Sequence, residues 1–214
     1  MTDEGKGWTL VARFSNSDRK RWMWDFGRFW YSRNVALGTT TSPSVNADMI
    51  SPVFWLVSGR EFKITRSDDP SHTPLLQTTG NCLARQTLRS KITSYGDFRN
   101  GTVWASDQCL GSCTVEYGGQ YKSTDGFQQA ECNGNIQGAN KVGFWCDWQD
   151  GDGSVMMIGG GGPGCYRADH GIGITETDAA SFVEEEGQTE YDFGYNATTD
   201  TAPSQAYSLN LWIR

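Results

Sequence analysis

The chain has 214 residues, a formal net charge of −7, 37% hydrophobic residues, and nine Trp, eight Tyr and ten Phe. That apolar and aromatic content can build a core, which excludes wholesale disorder, and the length suits one large domain. The acidic balance argues against a nucleic-acid partner, which normally needs a basic face, and no apolar run approaches the ~20 residues that cross a bilayer as a helix.

No Pro/Ser-rich linker divides the chain, so a single domain over 1–214 is expected, with 1–6 a disordered lead-in. The opening "MTDEGKG" lacks the charged start and apolar middle of a signal peptide. In "WTLVARF", Trp8, Leu10, Ala12 and Phe14 alternate with other residues, which predicts a half-buried strand with those four on one face. "DRKRWMWDFGRFW" mixes cations with aromatics; a platform for single-stranded nucleic acid is one reading, and a surface segment whose Trp residues turn inward is the one the acidic whole favours. "VFWLV" at Val53 to Val57 reads as a short central strand. "EFKITR" alternates Phe62 and Ile64 with Glu61, Lys63 and Thr65, again a strand, and "TLRSKITSYG" predicts a helix.

Between Asn100 and Asp152 turn dipeptides recur and no regular element is expected to last. The apolar "SVMMI" predicts a core strand running into the glycines Gly159 to Gly162, and Asp178 is placed to cap a short helix over "AASFVEEE". "YSLNLWIR" puts Tyr207, Leu209, Leu211 and Ile213 on one strand face. The fold class expected is α+β, a twisted antiparallel sheet carrying a large loop-rich, cysteine-stapled region.

Six cysteines, Cys82, Cys109, Cys113, Cys132, Cys146 and Cys165, imply an oxidised framework of up to three bridges whose pairing the spacing leaves open. The rival, a zinc site on Cys109 and Cys113, lacks the second tight Cys or His pair. Two sequons, at Asn100 and Asn196, are compatible with secretion.

Gly159, Gly161 and Gly164 formally satisfy a dinucleotide-binding glycine pattern, yet Pro163 falls inside it and no amphipathic helix follows to supply a dipole. Neither His72 nor His170 lies near a nucleophile elbow, and oxidised cysteines leave no thiol. Paired carboxylates for glycoside hydrolysis need no sequence signature, so a calcium-stabilised hydrolase stays open as a third reading.

Calcium fits better, because it takes six to eight hard oxygen ligands, best supplied by carboxylates and carbonyls on irregular loops. "CDWQDGDGS" offers Asp147, Asp150 and Asp152 with glycines between them, and "RADHGIGITETD" offers Asp169, Glu176 and Asp178 beside His170. The first segment is no EF-hand, since Gly161 stands where the closing Glu would fall. Solvated acidic turns are the bland alternative for either segment.

"GWTLVA", "MIGGGGPGC" and the final "LNLWIR" together resemble the fibrinogen-like domain, and most closely its intelectin (X-type lectin) branch. "ADHGIGITE", "YDFG" and "YSLNLWIR" are similar to secreted, cysteine-bearing intelectin-like domains of invertebrates. The resemblance implies a secreted, calcium-dependent, non-enzymatic lectin in which a calcium ion accepts sugar hydroxyls and aromatic rings wall the pocket. It further implies Asp169, following Cys165, as a structural-calcium ligand, with His170 and Glu176 rebuilding a sugar-facing site. A neutral imidazole is a poor calcium ligand, so His170 would equally donate to a sugar hydroxyl. Tyr166, Trp148 and Tyr191 are the candidates for the aromatic wall. This chain departs from the family where the metal-binding histidine would precede the glycine tetrad, because Val155, Met156 and Met157 stand there. Glycans or monosaccharides are the implied partners, with a homo-oligomer supplying avidity; an adhesion or assembly module with purely structural calcium is the runner-up.

Overall fold

The computed structural model describes residues 7–17, 22–23, 25–39, 41–99, 104, 108–118, 140–147, 152–158, 171–176, 182, 193 and 205–214, with backbone alone for Asp152, Thr175 and Glu176. The elements are β1 (Thr9–Ser15), α1 (Arg28–Tyr31), β2 (Met49–Ile50), α2 (Val53–Leu56), β3 (Phe62–Arg66), β4 (Pro74–Thr78), α3 (Leu88–Thr93), β5 (Cys109–Tyr117), β6 (Lys141–Asp147), β7 (Asp152–Ile158), β8 (Gly171–Glu176) and β9 (Ser208–Ile213). They form one sheet in the order β2-β1-β9-β3-β4-β5-β6-β7-β8, every pairing antiparallel. The described residues are thus mostly sheet, with helices limited to four to six residues.

Strand β9 lies between β1 and β3, so the last described strand is a central one. Phe14, Leu209, Leu211, Phe62 and Ile64 are fully buried, and Phe14 packs on Trp22 and Trp30 at ring-centroid separations of 4.5 and 5.7 Å. Trp22, Phe29 and Trp30 therefore turn inward from the basic, aromatic segment, as the acidic composition suggested.

The opposite face of β1 and β9 is buried as well, under the segment 39–48. Arg13, fully buried, donates from Nε to the Ala47 carbonyl at 2.6 Å, from Nη1 to Ser42 at 2.6 Å and from Nη2 to Thr39 at 3.2 Å. Burial lowers the Arg13 pKa while the Asp48 carboxylate works against that shift. Asp48 accepts from the Ser15 N–H, and Asn46 Oδ1 accepts from the Ser15 and Ser208 hydroxyls at 2.8 and 2.7 Å. This polar layer explains why alternation marks β1 and β9 in the sequence although both of their faces are covered.

Several expectations are corrected. Leu10 pairs with Trp212 but Ala12 with Leu211, so a bulge at Val11 puts Trp8 and Leu10 on the face opposite Ala12 and Phe14. The segment Val53 to Val57 is not a strand; α2 occupies Val53–Leu56. Pro52, with φ −54°, is preset for a helical first turn, Ser51 Oγ accepts from the Val53 N–H at 3.2 Å, and only Phe54 of that turn is buried. Regular structure does persist between Asn100 and Asp152, as β5 and β6; β5 alternates buried Cys113 and Val115 with exposed Ser112, Thr114 and Glu116. The expected helix after Asp178, both sequons and the glycines Gly159 to Gly162 lie outside the described residues, although Phe182 is buried. Helix α3 matches its prediction, and Thr87 caps it by accepting from the Ser90 N–H at 3.0 Å.

Candidate functional site at the end of strands β6, β7 and β8

Two disulfides fasten the β5 region. Cys82 bonds Cys113, tying the turn before α3 to the sheet, and Cys109 bonds Cys146 directly across the β5–β6 pair. Each member of the Cys109-x-x-x-Cys113 pair is therefore taken by a different bridge, which overturns the zinc reading. Cys132 and Cys165 lie outside the described residues.

The Cys109–Cys146 bridge sits one residue from Asp147, whose N–H donates to the Gln108 carbonyl at 3.1 Å and whose side chain is 2% exposed. Asp147 ends β6, Asp152 begins β7 and Glu176 ends β8. The register pairs Asp147 with Gly153, Gly153 with Thr175, and Asp152 with Glu176. Residues directly opposite across an antiparallel pair have Cα atoms about 4.5–5.5 Å apart. Three of the six acidic residues singled out from two separate segments are thus brought to one end of one three-stranded stretch. The sequence placed them on irregular loops; the correction is that all three are strand termini, where inter-strand hydrogen bonding fixes their backbone.

The register is held by packing. Val155, Met156, Met157 and Ile158 of β7 are fully buried, and Ser154 Oγ donates to the Met156 carbonyl at 2.7 Å. Gly173 of β8 has φ +65°, and a Cβ there would lie 2.9 Å from the Trp30 ring and 3.0 Å from Val155, so only glycine lets β8 approach so closely. The residues standing where the resemblance would place a histidine are therefore core: Val155 and Met156 belong to the large apolar cluster, while Met157 packs with Cys146.

Carboxylates are hard oxygen donors, so the paired positions Asp152 and Glu176 suit calcium rather than a softer metal, whereas Asp147, paired with Gly153, stands on the opposite face of the sheet. Among the described residues no three His, Cys, Asp or Glu side chains converge as a metal-holding group. Of the other candidates, Asp150, Asp169, Asp178, His170, Tyr166, Trp148 and Tyr191 lie outside the described residues. The second histidine, His72, is structural: it is 8% exposed, with Nδ1 3.3 Å from the Arg66 carbonyl and Nε2 3.5 Å from Ser44 Oγ.

Sequence reasoning passed over two charged groups. Glu61, 8% exposed, accepts from the Thr78 hydroxyl at 2.5 Å, from the Cys82 N–H at 3.3 Å and from the Asn81 N–H. Arg89, 7% exposed, donates to Asn34 Oδ1 at 2.7 Å and to the Phe29 and Arg33 carbonyls at the end of α1, and burial pushes its pKa down to about 10. Glu61 fits the polar side of its alternating strand and Arg89 sits inside a helical segment, so no local signal marks either as buried. Among the described residues no helix is long and apolar enough to cross a membrane.

No family model matches the chain, and no curated protein matches it.

Proposed function

We propose that the chain is a secreted, non-catalytic, calcium-dependent carbohydrate-binding protein with a fibrinogen-like fold of the intelectin type. The observation that carries this reading is the pairing of Asp152 directly opposite Glu176 at one sheet end. Acidic residues at directly opposite register positions repel unless a cation or water separates them, and calcium accommodates such a pair. A calcium ion whose shell is left incomplete exchanges water for sugar hydroxyls at little cost. Asp169, Glu176 and His170 are the residues assigned to the sugar-facing side, with Asp150 and Asp178 completing the acidic set. Tyr166, Trp148 and Tyr191 are assigned to the sugar's C–H faces. Contacts of this kind are polar and shallow, so useful avidity comes from a homo-oligomer. Two disulfides support an oxidising, extracellular setting.

A glycan array with and without chelator tests the reading. Chelator-sensitive binding supports it, and a folded protein that binds no glycan with calcium present sinks it. The 2% exposure of Asp147 favours a second reading, in which the ion is purely structural and the chain is an adhesion or assembly module. Chelation that lowers thermal stability while no sugar binds selects that alternative.

A further inference from the structure

The C-terminal end of β9 carries a concentration of positive charge that an acidic chain does not otherwise lead one to expect. The bulge at Val11 leaves Trp8 half-exposed on the outer sheet side, with Lys63 Nζ 4.9 Å and Arg214 Cζ 4.6 Å from its ring centroid. Lys63 also lies 5.7 Å from the ring of Trp212, its partner in the β3–β9 register. The backbone of Arg60 adjoins this place, its N–H donating to the Arg214 carbonyl at 2.6 Å, and its side chain is exposed at the strand end. The Arg60 carbonyl in turn accepts from Leu83, two residues before Arg85. Arg60, Arg85 and Arg214 are exposed, and among the described residues no ion pair involves any of the three. The neighbouring acid, Glu61, turns its carboxylate onto Thr78, Asn81 and Cys82 and is 8% exposed, so it adds little screening at the surface. Glu116 lies further along the same row, separated from Lys63 by Gln77.

The geometry points to this patch as a binding site for an anionic glycan, one bearing sulfate or uronate groups. Lys63 and Arg214 share one ring, so they are no further apart than those two distances together allow, a span that adjacent anionic groups on a saccharide can bridge. Guanidinium groups take sulfate or carboxylate oxygens in a two-point fork. Stacking on Trp8 restrains both cations before the ligand arrives, which reduces the ordering cost of binding. A net charge of −7 repels a long nucleic acid beyond the patch, whereas a short glycan is covered by the local cations alone. The choice of a glycan as the anion rests on the carbohydrate-binding reading; the site itself is separate from the acidic strand ends of β6 to β8.

The test is calorimetric titration with a heparin-derived hexasaccharide, in calcium and again in chelator. Binding is expected in both conditions, weakening as salt rises from roughly 50 to 200 mM, because counterions are released from the saccharide. Arg214→Gln and Arg60→Gln, both at exposed positions, should each lower affinity about tenfold with unchanged melting temperature, a factor that corresponds to ~1.4 kcal/mol. The exposed Arg28→Gln, at a cation paired with Asp25, should leave it unchanged. Unaltered affinity in both patch variants overturns the assignment. So does equal binding of a single-stranded RNA of matched charge, which would make the patch a nucleic-acid surface, or loss of binding in chelator, which would move the site to the carboxylates. Failure of the calcium lectin reading is separately visible, as absence of chelator-sensitive binding to neutral sugars.

Discussion

Arg13 offers the sharpest test of how the sheet is covered. Its guanidinium is fully buried and donates to three backbone carbonyls spread over Thr39 to Ala47, so one side chain ties the covering segment to β1 at three points. Replacing it with Met in Arg13→Met keeps a similar length but removes all three donors and leaves Asp48 without the positive charge that faces it. A buried acceptor left unsatisfied costs about 1–3 kcal/mol, and the Coulombic attraction of Asp48 is lost as well. Because the segment can shift and admit water, the two losses overlap, and a net destabilisation of about 3–5 kcal/mol is expected against a typical total of roughly 5–15 kcal/mol. Arg13→Lys keeps the charge but not the fork, so about half that loss is expected. Urea denaturation followed by tryptophan fluorescence measures both. Hydrogen exchange should show faster opening at Leu37 and Ile50, whose mutual backbone bonds anchor the segment. If Arg13→Met lies within ~1 kcal/mol of the parent, the reasoning is refuted, since the carbonyls must then find water as easily as the guanidinium.

Four further outcomes follow from the same contacts. Reducing or removing the Cys82–Cys113 bridge, which spans a separation of 31 residues, should cost about 3–4 kcal/mol by chain-entropy reasoning; a shift under ~1 kcal/mol in urea melts would count against it. Gly27→Ala should destabilise by more than ~1 kcal/mol, because φ is +69° and the new Cβ would sit 2.6 Å from the Phe182 ring; a calorimetric melt identical to the parent would contradict that. Asp152→Asn with Glu176→Gln should abolish most of a calcium-induced stabilisation, which for one site at a hundredfold excess over Kd is about 2.7 kcal/mol; an undiminished rise in melting temperature would remove these residues from the site. Hydrogen bonds from Arg99 hold the Asp97 pKa below the usual carboxylate range. A depressed folded pKa adds stability that is present above the unfolded value and lost as pH falls through the folded one, so Asp97→Asn should flatten the acid limb of the stability curve, by less than ~1 kcal/mol because the pair is exposed.

Local chemistry determined a good part of this protein. Alternation placed β1, β3 and β9, the segment "TLRSKITSYG" placed α3, the apolar run "SVMMI" placed β7, and an even cysteine count implied the bridges. Those signals are legible because each depends on residues a few positions apart. The misread segments depend on context outside the apolar run itself. Val53 to Leu56 looks like a strand until Ser51 and Pro52 set the first helical turn, and β5 and β6 pair with each other across a long connection that no local pattern spans. Only the tertiary structure set Asp152 opposite Glu176, because their pairing is a matter of β7–β8 register, which packing at Gly173 and Val155 decides and no local pattern records. Only the bulge at Val11 put Trp8 on the outer face against Lys63 and Arg214, since one extra residue in a strand reverses every side chain before it.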